Sequence, residues 1–177
     1  MNVREAGAAD AAAIDAILHT AFDSDVEAGL VRDLVADPTA APSLSLIAED
    51  DAGTAVGHVL FSHVRIEGAA GVRGAILAPL AVVPGAQGKG AGRALVETGL
   101  RWLAAAGADL VFVLGDPAYY GRFGFAPAAP HGLAAPYTLP PAYAEAWMVR
   151  ALRDDVPDVA SHIVCADALM RPELWQE

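Results

Sequence analysis

Gln87-Gly88-Lys89-Gly90-Ala91-Gly92 has the composition of an anion cradle. It follows the apolar run Gly74 to Val83 and precedes the amphipathic stretch Arg93 to Ala106, an order that reads as strand, glycine-rich turn and helix. Glycine lets the backbone take positive φ and lets an anion come close, and a helix start presents unpaired N–H groups at the positive end of its dipole. A junction of this kind suits a phosphate.

Three glycine codes compete for it. The P-loop code fails: Gly85 is separated from Gly88-Lys89 only by Ala86 and Gln87, and Gly90 stands where the magnesium-binding hydroxyl belongs. The dinucleotide code fits poorly, because Gly88, Gly90 and Gly92 lack its third offset and Asp109 precedes the next strand instead of ending it. The third, Q/R-x-x-G-x-G/A, matches at Gln87, Gly90 and Gly92.

That match, with Leu80-Ala81-Val82 ahead of it and Tyr119-Tyr120-Gly121-Arg122-Phe123-Gly124-Phe125 behind it, resembles the GNAT superfamily of acetyl-CoA-dependent N-acetyltransferases, and most its bacterial YhbS-like branch. The resemblance implies one α/β (α+β) GNAT-like domain over residues 1–177. Its central mixed, mostly antiparallel sheet would splay in a V between two near-parallel strands, with helices on both faces. A bulge in Gly74–Val83 would make the splay, and backbone groups of Leu80, Ala81 and Val82 would grip the pantetheine. Gln87, Gly88, Gly90, Ala91 and Gly92 would give N–H groups to the pyrophosphate of acetyl-CoA, the acetyl donor. Lys89 sits at a variable position, where its side chain either screens a phosphate or points into water.

Acetyl transfer needs a neutral amine in line with the thioester, donors for the developing oxyanion and a proton for the departing thiolate. By match to the family's second motif, Tyr120 is the proton donor, beside the sulfur. Backbone N–H around Val82 is the oxyanion candidate; Arg122 lies near a CoA phosphate or in solvent. The base is open among Glu27, Glu49, His58, His63 and Asp116, with Glu27 first for contact with the amine. His58 and His63, five apart, face opposite sides of a regular strand, so they cannot share one site. No serine stands in a nucleophile elbow, which favours direct attack over an acyl-enzyme. A noncatalytic acyl-CoA-binding module or sensor is the alternative reading.

The elements that must position these residues follow in order. Val3–Ala6 reads as a strand, and Ala8–Phe22 and Val26–Val35 as helices walling a substrate groove. Leu44–Ala48 and Ala55–Ile66 form a hairpin around Asp50-Asp51-Ala52-Gly53. The helix after the cradle would bury Leu95, Trp102 and Ala106, leaving Arg93, Glu97 and Arg101 on its outer side. Leu110–Leu114 is a buried strand reached by a crossover, and Tyr119–Arg122 a short helix. Five prolines and one glycine make Ala126–Pro141 an ordered loop or lid. Ala144–Leu152 and His162–Ala166 close the sheet, with Asp154–Val159 as connector.

At 177 residues and 55% hydrophobic content the chain can bury a sizeable core. It contains no apolar run of about 18 residues, the length a membrane span needs, and its N-terminus lacks a signal-peptide layout. One cysteine, Cys165, excludes an internal disulfide, and the histidines lack metal-ligand spacing. A cytoplasmic monomer or homodimer without metal is expected. The net charge of −11 opposes nucleic-acid binding and favours a cationic acceptor.

Overall fold

The structure, a computed structural model, describes residues 1–153, 155–156 and 160–176. Most of the expected connector, Asp154 and 157–159, lies outside the described residues.

The chain enters through β1 (Asn2–Glu5), a short 3-10 turn, α1 (Ala11–Ala21) and α2 (Val26–Ala36). The strands β2 (Leu44–Glu49), β3 (Ala55–Ile66) and β4 (Gly74–Val82) follow as an antiparallel meander. The crossover helix α3 (Ala91–Ala105) then returns the chain to β5 (Leu110–Leu114), parallel to β4. A parallel neighbour requires such a crossover, because a hairpin turn can only reverse direction. After α4 (Pro117–Tyr120) come the two-residue strands β6 (Ala126–Pro127) and β7 (Leu133–Ala134), then β8 (Trp147–Ala151) and β9 (Ser161–Cys165).

The strand order is β1-β2-β3-β4-β5-β8-β6. β9 pairs with the far end of β3, Val64–Ile66, on the edge that β2 leaves free, and also pairs β7. The sheet is thus mixed and mostly antiparallel. Alternation along its strands sends one set of side chains to each face. Ile47, Leu60 and Ile76 meet Ile14, Leu18, Leu30 and Leu34 of α1 and α2. Val59, Phe61 and Val111 meet Leu95, Val96 and Leu100 of α3 on the other face.

Several ends differ from the sequence reading. α3 starts two residues earlier than Arg93, at Ala91, and its Trp102 is 39% exposed, with Ala106 also exposed. Trp102 and Ala106 instead line an open groove with Pro42, Leu44, His63 and Ala75, so part of the indole faces solvent. The expected strand from Ala144 begins only at Trp147, because residues Pro141–Ala146 wind as a 3-10 helix after a run of prolines.

The feature that positions the site is the seam between β4 and β5. Only Gly74–Leu77 pairs with Leu110–Val113, although β4 runs on to Val82. The β3–β4 register slips at the same point: Val59 faces Leu80 and Phe61 faces Leu77, so β4 holds an extra residue around Ala78-Pro79. A bulge of this kind bends its strand, and Pro79 has no N–H to offer. Beyond it the two strands part.

Candidate active site

The parting leaves β4 with an unpaired edge. Val83 donates its N–H to Val56 O at 2.9 Å, so Val83 turns toward β3. Alternation then turns Ala81 to β3 as well and aims the N–H and C=O of Leu80 and Val82 into the cleft. Ala81 was expected to grip the cofactor too; it stands opposite His58 and its side chain is buried.

Past Val83 a 3-10 turn, Pro84–Ala86, brings the glycine loop round to the start of α3. Gly88 and Gly90 take φ of 74° and 90°, in the left-handed region that glycine alone enters at little cost. Ala94 is bonded to Gly90 O at 3.0 Å, which leaves the N–H groups of Ala91, Gly92 and Arg93 without acceptors inside the helix. A Cβ on Gly92 would stand 2.5 Å from Tyr119 Oη, so only glycine lets α3 start this close to α4. The resulting hollow is lined by Leu80, Val82, Gln87, Gly90, Gly92 and Arg93 among others.

Gln87 departs from expectation in where its backbone N–H goes, and Lys89 takes the solvent alternative. Gln87 spends its N–H on Pro84 O at 3.3 Å, and its Nε2 donates to Val82 O at 3.1 Å, so it braces the loop against the strand. Lys89 is exposed and does not line the hollow. Tyr119 also lines it, as does Arg122, whose guanidinium lies over the Tyr119 ring at 4.6 Å. Their positions relative to Gly92 depend on the turn into α4, which local sequence does not encode.

A second cavity, of about 430 Å³, continues from the hollow along the splay. Leu80 lines both. Its floor is Ile76–Leu80 with Val113 and Leu114, and Tyr120 and Glu27 face it together. Tyr120 is held by Asp116, which caps α4 by accepting from Ala118 N at 2.9 Å. The Tyr120 ring meets Tyr119, Phe123 and Phe125 at 5.0, 6.5 and 5.8 Å. Burial, then the neighbouring Tyr119, raise the phenol above its ordinary range, so it keeps its proton at neutral pH. Glu27 lies in the first turn of α2, and Ser24 Oγ donates to its Oε2 at 2.9 Å.

The other acid–base candidates are elsewhere. Glu49 is bonded to Arg4 at 2.7 Å. His58 is fully buried beside Ser45, at 2.9 Å, and burial pulls its pKa down to about 4. His63 lines a groove near Trp102, and Asp116 is the α4 cap. Of the five candidates, only Glu27 lines the cavity that Tyr120 lines. Sequence reasoning missed one wall of this cavity: Leu169, Glu173, Leu174 and Trp175, from the C-terminal segment. That segment carries two 3-10 helices, too short to leave a periodic signal.

The model of the GNAT acetyltransferase family matches residues 12–125. The chain belongs to the GNAT acetyltransferase family. It is 42% identical over 160 residues to the uncharacterized N-acetyltransferase YjhQ of Escherichia coli K12, covering 89% of this chain and 88% of that one. To the uncharacterized N-acetyltransferase YhbS of the same strain it is 43% identical over 146 residues, 82% of this chain and 84% of the relative. The crystal structure of Escherichia coli YhbS in complex with CoA superposes with a TM-score of 0.85 at 38% identity, covering 96% of this chain and 92% of that one. A Brucella melitensis GNAT family acetyltransferase in complex with acetyl-CoA gives 0.74 at 32% identity, with 94% and 96% covered.

The cradle fits such a donor on its own geometry, since Gly88, Gly90, Ala91 and Gly92 line it at a helix start whose first N–H groups have no acceptor inside the helix. Among the described residues no group of three or more His, Cys, Asp or Glu side chains could hold a metal ion, and no helix is long and apolar enough to cross a membrane.

Proposed function

We propose that this N-acetyltransferase joins donor and acceptor in one ternary complex, with Tyr120 as the acid and Glu27 as the residue that receives the amine. The observation that carries the reading is that Tyr120, Glu27 and Leu80 line one cavity, and that Leu80 also lines the glycine hollow. Bound acetyl-CoA supplies a thioester whose carbonyl carbon accepts the amine and whose sulfur leaves.

The N–H groups of Gly88, Gly90, Ala91 and Gly92 hold the pyrophosphate, with Arg122 and Arg93 adding positive charge. The cleft-facing groups of Leu80 and Val82 hold the pantetheine as a neighbouring strand would. Leu80 N–H, at the junction of the two cavities, replaces the Val82 region as donor to the acyl oxygen as charge develops there. Glu27 accepts the ammonium and passes one proton through water to solvent, which frees the nitrogen lone pair. As the C–N bond forms and the C–S bond breaks, Tyr120 gives its proton to sulfur. The proton lost from the acylated nitrogen then restores the phenol.

The cytoplasm is the compartment this reading requires, and the sole cysteine, Cys165, is a buried free thiol. Tyr120→Phe tests the central role. It removes the proton and keeps the ring, so kcat should fall by about 10² to 10⁴ with acetyl-CoA affinity nearly unchanged. Coenzyme A release followed with a thiol reagent reads the first, and calorimetry the second. Unchanged kcat in the folded variant refutes the assignment; abolished binding with unchanged turnover per bound donor would make Tyr120 a packing residue.

A further inference from the structure

We infer that the acceptor is a primary amine on an apolar stem with no carboxylate beside it, and that Glu173 is the residue that selects it. This rests on the transferase reading of the same cavity.

Among the described residues that line the cavity, the charged side chains are two carboxylates, Glu27 and Glu173. Its other walls are apolar, Phe22, Leu30, Leu174 and Trp175 among them, and no Lys, Arg or His lines it. Neither carboxylate has an ion-pair partner among the described residues: Glu27 accepts only from Ser24, and Glu173 from none. A hydroxyl-rich amine would lose its water against mostly apolar walls, with only Glu27, Glu173 and Tyr120 to replace it, which disfavours it. Glu27 is half-buried and Glu173 exposed at the rim, so an amine carrying its own carboxylate would meet two negative charges without ion-pair partners and no lining cation to receive it.

Glu173 is held where this selection requires it. Trp175 is buried, donates Nε1–H to Leu169 O at 2.8 Å and stacks edge-on against Trp147 at 5.5 Å. Arg171 reaches Asp33 on α2 at 3.3 Å, while Thr39 Oγ1 and Asp37 Oδ2 accept from Asp167 N and Ala168 N at 2.8 and 2.9 Å. The segment is thereby tied to α2 and the turn that follows it, and α2 carries Glu27. Both carboxylates are thus presented from segments bonded to each other.

An alkylammonium stem comes from two sources, a free aralkylamine or a lysine side chain in a protein. Calorimetry on the CoA-loaded protein with phenethylamine, phenylalanine and Nα-acetyl-lysine methylamide distinguishes them. Phenethylamine or the blocked lysine should bind at least about tenfold more tightly than phenylalanine, whichever binds better naming the source. Glu173→Gln should narrow the gap, and Glu173→Lys should close or reverse it while acetyl-CoA still stabilises the variant thermally. Equal binding of phenethylamine and phenylalanine, no binding of either carboxylate-free amine, or an unchanged gap in Glu173→Lys overturns the inference. If a carboxylate-free amine binds selectively yet no acetylated product forms with any amine, the transferase reading falls and only the cavity's preference for such amines as ligands stands.

Discussion

Gly115 lacks a side chain where the Tyr120 ring needs the room: a Cβ there would lie 2.4 Å from Cε2 and 2.8 Å from Cδ2. Gly115→Ala should therefore displace the phenol without touching substrate. Turnover should drop by about tenfold or more in Gly115→Ala, and adding it to Tyr120→Phe should cost little further, since both act on one hydroxyl. Additive losses in steady-state assays would uncouple the two positions. His58 offers a prediction about stability. Its folded pKa is about 4, below the ordinary histidine value of 6.5, so between these the unfolded chain binds more protons and stability falls as pH drops. The loss should begin below pH about 6.5 and level off near pH about 4, amounting to on the order of 3 kcal/mol. Urea midpoints should fall more steeply as pH drops through that range in the parent protein than in His58→Gln.

At the scale of elements, α3 seats on the sheet through a gap in its own surface. A Cβ on Gly99 would fall 2.2 Å from Phe61 Cε2, so the helix approaches β3 only because that position is bare. Gly99→Ala should cost about 1–3 kcal/mol by overpacking, with the melting temperature recovering when Phe61→Leu is added. Failure of that rescue would mean the helix position is set elsewhere. The elements were largely legible: β3 and β5 have the bounds their apolar runs suggest, and α1 and α2 follow periodic leucines and isoleucines. The glycine loop was legible because left-handed backbone and a crowded helix start leave few residue choices. Trp102 was misjudged because helical spacing tells which side faces inward but not how closely the sheet beneath packs against it, and here an open groove is left. The C-terminal wall was not legible, since Glu173 and Trp175 reach the cavity through tertiary contacts with α2 and β8.

For the whole molecule, ligand and fold are linked by mass action. Acetyl-CoA at about 100 times its Kd should add about 2.7 kcal/mol of stability, read as a rise in melting temperature. Gly90→Val, at φ 90°, should lose that rise. Stabilisation by ATP or NAD in place of acetyl-CoA would show the loop to have been misread. Trp175→Ala should act differently, loosening the acceptor wall while sparing the cradle. Its expected signature is a raised KM for the amine with acetyl-CoA stabilisation retained.

The unzipped stretch of β4 also has a temporal consequence. Amide protons of Leu80 and Val82 look into the cleft, whereas those of Ala81 and Val83 are turned toward β3. Hydrogen–deuterium exchange along four consecutive residues should then alternate fast and slow in the free protein. Saturating CoA should slow the fast pair and leave the slow pair as it was, converting a comb-like pattern into uniform protection.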